Sequence, residues 1–325
     1  MSSPIRQAGE ENRGFHEIFM DRLKKHIDEY HVPYVPELLR HFSDASSTPR
    51  KLRLYQFWEG NNVFFFRGHM ICGPDPRGFL LTAFSIVLSA WIFYTYSTDS
   101  QMVSFAAVFL AACVLGSLTM VGARDPGILP RNKNTGRLEE ETASKRVIDV
   151  NGVEIKQKYC NICMISRPPR SCHCTICNNC VEKFDHHCPW IGQCIGLRNY
   201  RYYIMFVFFA LMFFTYILIF SWRKAESLLS ENEYRFFPTL ADAPETMAVL
   251  LFSSVSAFFL GGFAIFHSYL LTRNQTSREN YKQRYRNCLN SHDKGFLMNI
   301  KEALFQKLPP SGVNFREEVR AETQS

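Results

Sequence analysis

The chain has 325 residues, a formal net charge of +7 and 46% hydrophobic residues, with 29 Phe and 14 Tyr among them. That balance excludes a wholly disordered chain, and the spread of its 15 Pro excludes a repeat solenoid. No Lys/Arg run is organised as a recognition helix, so nucleic acid is set aside as a partner and the positive charge is assigned to an anionic lipid surface.

Residues 1–78 read as a cytosolic N-terminal arm, the first 50 of them loosely amphipathic or disordered. The opening stretch MSSPIRQAGEENRGFHEIF is too charged for the apolar region of a cleavable signal peptide, so the first hydrophobic block is internal. That block, 79–97, is followed by 102–123, 202–222 and 247–271. Each contains about twenty residues free of Asp, Glu, Lys and Arg, and a rise of about 1.5 Å per residue carries such a helix across about 30 Å of hydrocarbon. Ser253, Ser254, Ser256 and His267 make the fourth block the most polar, and His267 is assigned to packing or an interface position. Gly116, Gly261 and Gly262 are either points of close helix contact or ordinary glycines of membrane spans.

Lysine and arginine number 11 before the first block, 13 between the second and third, 3 between the third and fourth, and 10 after the fourth. The positive-inside rule therefore puts both termini and the central loop in the cytosol, with 98–101 and 223–246 on the opposite side. The chain divides into the arm 1–78, transmembrane helices 1 and 2 at 79–123, a cytosolic loop at 124–201 holding a cysteine-rich domain at about 158–200, helices 3 and 4 with a luminal or extracellular loop at 202–271, and a cytosolic tail at 272–325. Asp125, Pro126 and Gly127 end the second span, and 131–158 reads as flexible surface leading into the strand-like VIDVNGVEI. Asn274-Gln275-Thr276 matches an N-glycosylation acceptor, but the cytosolic placement argues against a glycan there.

Eight of the eleven cysteines fall within 160–194, interleaved with three histidines. A cytosolic setting favours metal over disulfides. The order is Cys160-x2-Cys163, then Ser171-Cys172-His173-Cys174-x2-Cys177-x2-Cys180, then Asp185-His186-His187-Cys188 and Cys194. Two residues between paired cysteines let a tight turn bring both thiolates to one ion, and sulfur with imidazole suits tetrahedral zinc. An iron–sulfur cluster fits the histidines less well. Two separate tetrahedral ions need eight ligands and eleven candidates are present, so three are left over and a cysteine can be free. A free thiolate beside an imidazole is a nucleophile, and a turn at Asp185, His186 and Cys188 offers that combination.

These residues resemble the DHHC-type protein S-acyltransferases, or palmitoyltransferases, and particularly their plant members. The resemblance covers 79–305 and is carried by DHHCPW at 185–190, the surrounding Cys/His spacing, Asn199, DPG at 125–127 and TSRE at 276–279. Ser277 stands where the family's TTxE pattern has its second Thr, which keeps the hydroxyl, and Asn299 and Phe305 match its C-terminal motif. The resemblance implies an all-α integral membrane protein: four transmembrane helices with a cytosolic zinc-binding cysteine-rich domain between helices 2 and 3. It implies one structural zinc on Cys160, Cys163, His173 and Cys180 and a second on Cys174, Cys177, His187 and Cys194, with Cys172 a spectator. It also implies that Cys188 accepts a long-chain acyl group, palmitoyl, from acyl-CoA and passes it to a cysteine of a membrane-associated protein substrate. His186 then serves as proton acceptor, oriented by Asp185, while Trp190, Asn199 and Ser277 contact acyl-CoA or support the active face.

From position alone, Phe206, Phe209 and Phe213 join Trp190 as candidates for an acyl pocket, and Arg198, Arg201, Arg273 and Arg278 for the CoA phosphates. The host membrane is Golgi, another endomembrane or the plasma membrane. A membrane-bound zinc adaptor is the non-enzymatic alternative. A transporter is disfavoured, since the spans lack an array of internal ionisable groups.

Overall fold

The computed structural model describes residues 52–98, 100–132 and 147–319. The expectations for the first 50 residues and for 133–146 lie outside the described residues. Among the described residues, four helices are long and apolar enough to cross a membrane. Helix α1 runs Arg77–Ile92 and continues as a wider turn over Phe93–Ser97, α2 spans Gln101–Gly122 and α3 spans Tyr200–Glu231. A short α4, Phe236–Asp242, leads into α5, Pro244–Thr272. Helix α3 outlasts its apolar block because RKAESLLSE after Trp222 is made largely of good helix formers. The hydrophobic run marks the crossing, and backbone hydrogen bonding continues past it.

Helix α3 packs against both α2 and α5. It buries Tyr203, Phe206, Val207, Ala210, Phe213, Phe214 and Ile217, the three-and-four spacing of one helical face. On α2 the buried face is Ala107, Ala111, Val114, Leu118 and Val121, whose small members allow close backbone approach. Gly116, Gly261 and Gly262 are not contact points: a Cβ at any of them would meet nothing within 4 Å. The outer faces expose Leu80, Phe84, Trp91, Phe105, Phe109, Phe258, Phe259 and Ile265, an apolar belt suited to lipid. Three serines of α5 are satisfied inside the helix: Ser253 and Ser254 donate to the Leu250 carbonyl and Ser268 to that of Ala264.

Before α1, the chain forms β1 (Leu52–Arg53) and an antiparallel hairpin of β2 (Val63–Phe65) and β3 (Met70–Cys72). Between α2 and α3, among the described residues, lie four antiparallel hairpins. They pair β4 (Val147–Val150) with β5 (Val153–Lys156) and β6 (Lys158–Cys160) with β7 (Ile165–Arg167). They then pair β8 (Cys172–Cys174) with β9 (Asn179–Val181) and β10 (His186–Cys188) with β11 (Gln193–Ile195). VIDVNGVEI is thus a whole hairpin, turned at Asn151 and Gly152, both with positive φ, as an Asn-Gly pair favours. After α5 come α6 (Ser277–Tyr281), α7 (Phe296–Phe305) and β12 (Glu318–Val319), which pairs with β1.

The turn after β10 is seated on the start of α1. A Cβ at Gly78 would lie 1.7 Å from the Pro189 carbonyl oxygen, and one at Gly73 would lie 1.6 Å from that of Gly192. The Thr82 hydroxyl donates to the Trp190 carbonyl at 2.9 Å. Fully buried Gln193 reaches the carbonyls of Ile71, Gly122 and Arg124 through one amide nitrogen, fixing β11 to both β3 and the end of α2. Gly78→Val forces this seat apart and is expected to destabilise the solubilised protein by about 1–3 kcal/mol, read as a lower thermal unfolding midpoint in detergent. An unchanged midpoint contradicts the seating.

Candidate active site and metal centres

Side chains alternate across a strand, and that alternation sorts the cysteine-rich donors. On β8, His173 faces one way and Cys174 the other, so this strand contributes to two clusters. The first gathers Cys160, Cys163, His173 and Cys180, with His173 and Cys180 directly opposed across β8–β9. The second gathers Cys174, Cys177, His187 and Cys194, with His187 and Cys194 directly opposed across β10–β11. In the first, the Sγ atoms of Cys163 and Cys180 lie 3.4 and 3.8 Å from His173 Nδ1. In the second, those of Cys174, Cys177 and Cys194 lie 3.8, 3.4 and 3.7 Å from His187 Nδ1. Zinc bonds of about 2.3 Å to sulfur and about 2.0–2.1 Å to nitrogen, at tetrahedral angles, give edges of about 3.6–3.8 Å. The eleven cysteines form no disulfide, and all six cysteines of the two clusters are buried while His173 and His187 are half-buried. The two donor sets fit two zinc ions. Cys172 is buried beside the second cluster but joins neither.

Three residues at β10 stand outside both clusters and meet one another. Asp185 is buried, and its carboxylate accepts from His186 Nδ1 at 2.7 Å and from the Ser277 backbone N–H at 2.8 Å. Cys188 follows two residues after His186, on the same face of β10, and is buried in one apolar cluster with Ile191, Tyr203 and the cores of α2, α3 and α5. Burial opposes charge on the His186 ring, yet the hydrogen bonds to Asp185 and Cys188 and their charges push it up to about 9. Burial likewise works against the Asp185 carboxylate, but its hydrogen bond with His186 and that ring's charge hold it below the usual carboxylate range. Tyr203 of α3 stands edge-on to His186 at 5.1 Å between centroids, and His267 of α5 lies tilted at 6.2 Å. The Tyr200 hydroxyl sits 3.3 Å from His267 Nδ1 and that of Tyr203 3.2 Å from Nε2, so both ring nitrogens have partners.

Ser277 takes its position from a buried ion-pair network. Arg170 grips Glu279 with two parallel bonds of 3.0 and 2.8 Å and reaches the side chain and carbonyl of Asn274 at 3.0 and 2.8 Å. Thr276 and Glu279 form a reciprocal capping box around the first turn of α6. Burial would raise the Glu279 carboxyl, but the Arg170 charge and hydrogen bond hold it below its ordinary value. Asn274, the glycosylation-like residue, is buried in this network and also donates to the His292 carbonyl. Arg170, Tyr200 and Tyr203 carry no local sequence signal for these roles.

The supporting candidates fall in different places. Asn199 is fully buried and uses its amide on the Cys194 and Val121 carbonyls and the Gly196 N–H. Asn299 is fully buried and donates to the Thr272 carbonyl and to Asp293. Trp190 is exposed, while Phe206 and Phe213 lie in the helical core and Phe209 packs against it. Arg198 pairs with Asp125 at 3.2 Å, Arg201 donates to the Gln306 carbonyl, Arg273 lies over Tyr269 and Arg278 over Phe184. A cavity of about 290 Å³ adjoins Asp185, lined in part by Lys183, Tyr200, Arg201, Thr276 and Lys307.

Residues 153–284, the stretch holding both clusters and the Asp185 network, match the DHHC palmitoyltransferase family. The protein named Probable protein S-acyltransferase 7 from Arabidopsis thaliana is 38% identical over 305 residues, covering 86% of this chain and 69% of its own. Probable protein S-acyltransferase 6 from the same plant is 40% identical over 83% of this chain and 72% of its own. The chain belongs to the DHHC palmitoyltransferase family. Protein S-acyltransferase 8 of Arabidopsis thaliana, 36% identical over 83% of this chain and 73% of its own, is a further relative.

Two zinc ions per chain are therefore expected by elemental analysis of this acyltransferase, and Cys180→Ser is expected to leave one or fewer. Full metal content in that variant contradicts the ligand set. Glu279→Gln leaves Arg170 buried without its anion and is expected to cost about 3–5 kcal/mol of stability. Because the folded carboxyl sits below its ordinary 4.5, the contribution of the pair is present above that pH and is lost as pH falls through the folded value. Thermal unfolding followed from pH 7 downward should show this loss in the wild type and a much flatter curve in the variant.

Proposed function

We propose that this acyltransferase moves a long-chain acyl group, palmitoyl, from acyl-CoA to a protein cysteine through a thioester on Cys188. The observation that carries this reading is His186, hydrogen-bonded to Asp185 and on the same strand face as Cys188, the DHHC cysteine that neither metal cluster uses. In the first half-reaction the Cys188 proton passes to His186, and Sγ attacks the carbonyl carbon of the acyl thioester. The bond from that carbon to the CoA sulfur breaks, and CoA leaves as a thiol with the proton returned from His186. In the second, a substrate cysteine gives its proton to His186 and its sulfur takes the acyl group. The departing Cys188 thiolate is then reprotonated. One thioester replaces another at each step, so no ATP is needed.

The surroundings support the same reading. Cys188 packs in the apolar cluster of the spans, where an acyl chain avoids a cost of about 0.8 kcal/mol per CH2 in water. Lys183, Arg201 and Lys307 beside Asp185 supply positive charge for the CoA phosphates. Burial and the nearby Arg170 lower Lys183 to about 8, which still leaves it mostly charged at neutral pH. Two closed four-ligand zinc sites supply rigidity, holding β10 so that His186 and Cys188 do not drift. Both termini and the cysteine-rich region face the cytosol, which puts the site within reach of membrane-associated proteins with a cytosolic cysteine.

Purified wild type, Cys188→Ala and Asp185→Asn are incubated with a clickable palmitoyl-CoA analogue, and zinc is measured in each. Wild type is expected to take a label removed by neutral hydroxylamine and Cys188→Ala none. Asp185→Asn should lose about 10²- to 10⁴-fold in labelling rate with its zinc retained. Equal labelling of Cys188→Ala and wild type sinks the assignment.

A further inference from the structure

We infer that the chain carries a second ligand site, for the phosphate head group of an anionic phospholipid, in a cavity walled by the β2–β3 hairpin, the end of α2 and the segment before β12. This cavity is about 650 Å³ and shares no lining residue with the one beside Asp185. Its charged and basic lining groups are His69, Arg124, Asp125, Arg198 and Arg316. The single carboxylate, Asp125, is already engaged by Arg198, the Ser311 hydroxyl and the backbone N–H groups of Gly127 and Ile128. Among the described residues no carboxylate pairs with Arg124 or Arg316. Arg124 donates to the Tyr202 hydroxyl and lies over a tyrosine ring, that of Tyr202, at 4.3 Å. Arg316 Nη1 lies 2.9 Å from His69 Nε2, which sets two basic side chains against each other at the mouth. A phosphate satisfies this arrangement directly, since it accepts several hydrogen bonds and neutralises both arginines.

The membrane side of the cavity indicates where that phosphate comes from. Thr119 and Met120, exposed residues in the last turns of α2, form one wall, so the cavity opens where hydrocarbon gives way to water. The adjoining hairpin tip exposes Phe65 and Phe66, and Phe66, Arg67 and Gly68 all have left-handed φ, of 50°, 58° and 84°. A bulky residue such as Phe66 adopts that conformation at a cost, and strain of this kind gathers at ligand clamps. Here it turns two aromatic rings outward beside a cationic cavity, the combination of apolar tip and basic pocket that an interfacial lipid fits. The inference rests on the membrane spans and not on the acyl-transfer chemistry.

The full chain, solubilised in detergent, is titrated with dihexanoyl phosphatidic acid, dihexanoyl phosphatidylcholine, inorganic phosphate and coenzyme A, with zinc content as the check on folding. Phosphatidic acid is expected to bind saturably and at least about tenfold tighter than phosphatidylcholine or inorganic phosphate, and Arg316→Gln to weaken it by about tenfold or more. Arg316 touches only His69 through its side-chain hydrogen bonds, so the variant keeps its zinc. No saturable binding to wild type, or equal binding to Arg316→Gln, overturns the site. Inorganic phosphate binding as tightly as the lipid makes it a free-anion site, and coenzyme A displacing the lipid assigns it to the acyl donor; either result overturns the lipid reading.

Discussion

The position of His187 in the middle of a three-residue strand governs the arrangement around it. As a metal-cluster residue opposed to Cys194, it fixes which way β10 faces, and the two-residue period of a strand then turns His186 and Cys188 together to the other side. A helix at this position would separate those two side chains by about 200°. The three hairpins that carry the cluster residues are short, each strand three residues, and such pairs are marginal alone. Cross-linking β8–β9 to β6–β7 through one cluster and to β10–β11 through the other gives them the rigidity that a hydrophobic core of this size does not provide.

The metal region and the membrane region meet at Asp185. One of its oxygens faces His186 on β10, the other the N–H of Ser277 after α5. Burying a carboxylate is unfavourable unless each oxygen has a partner, so the segment after α5 has to lie where it does for Asp185 to stay ionised. Arg170, from the loop between β7 and β8, holds that segment through Glu279 and Asn274, and Asn299 ties the following helix back to the end of α5. The two groups of contacts are far apart in sequence and both are buried, which makes the placement of Asp185 a property of the whole chain.

Much of this was legible in the sequence and part was not, for physical reasons. The four spans could be read because a bilayer demands about twenty uninterrupted apolar residues, and no partner elsewhere in the chain alters that demand. The end of α3 at Glu231 lies beyond the apolar block for the same reason, since hydrophobicity reports the crossing and not the helix. Ligand spacing pointed to zinc and to ligands in excess, but the division between two clusters came from resemblance, because β8 sends adjacent residues to different clusters. Arg170 and Tyr203 were invisible: their roles depend on partners about a hundred residues away or on another helix, and neither residue type nor spacing records that. Spacing left Gly116, Gly261 and Gly262 open between helix contact and ordinary span glycines, and only the fold decides, placing the small buried residues of α2 at Ala107 and Ala111.

His267 shows how the same logic extends into the spans. An ionisable ring in a membrane helix is expensive unless its polar atoms are satisfied, and Tyr200 and Tyr203, three residues apart on α3, meet its two nitrogens. Because Tyr203 also stands edge-on to His186, the ring of α5 and the ring of β10 are held by one tyrosine between them. The polar pair at Asp185 and His186 is therefore braced from below by the helices as well as from the side by Ser277. A strand oriented by its cluster histidine, a carboxylate held by the chain after α5 and an imidazole backed by α3 draw on three separate stretches of sequence. Their convergence explains why a cysteine-rich segment alone, even with both clusters formed, lacks the contacts that fix Asp185 and His186.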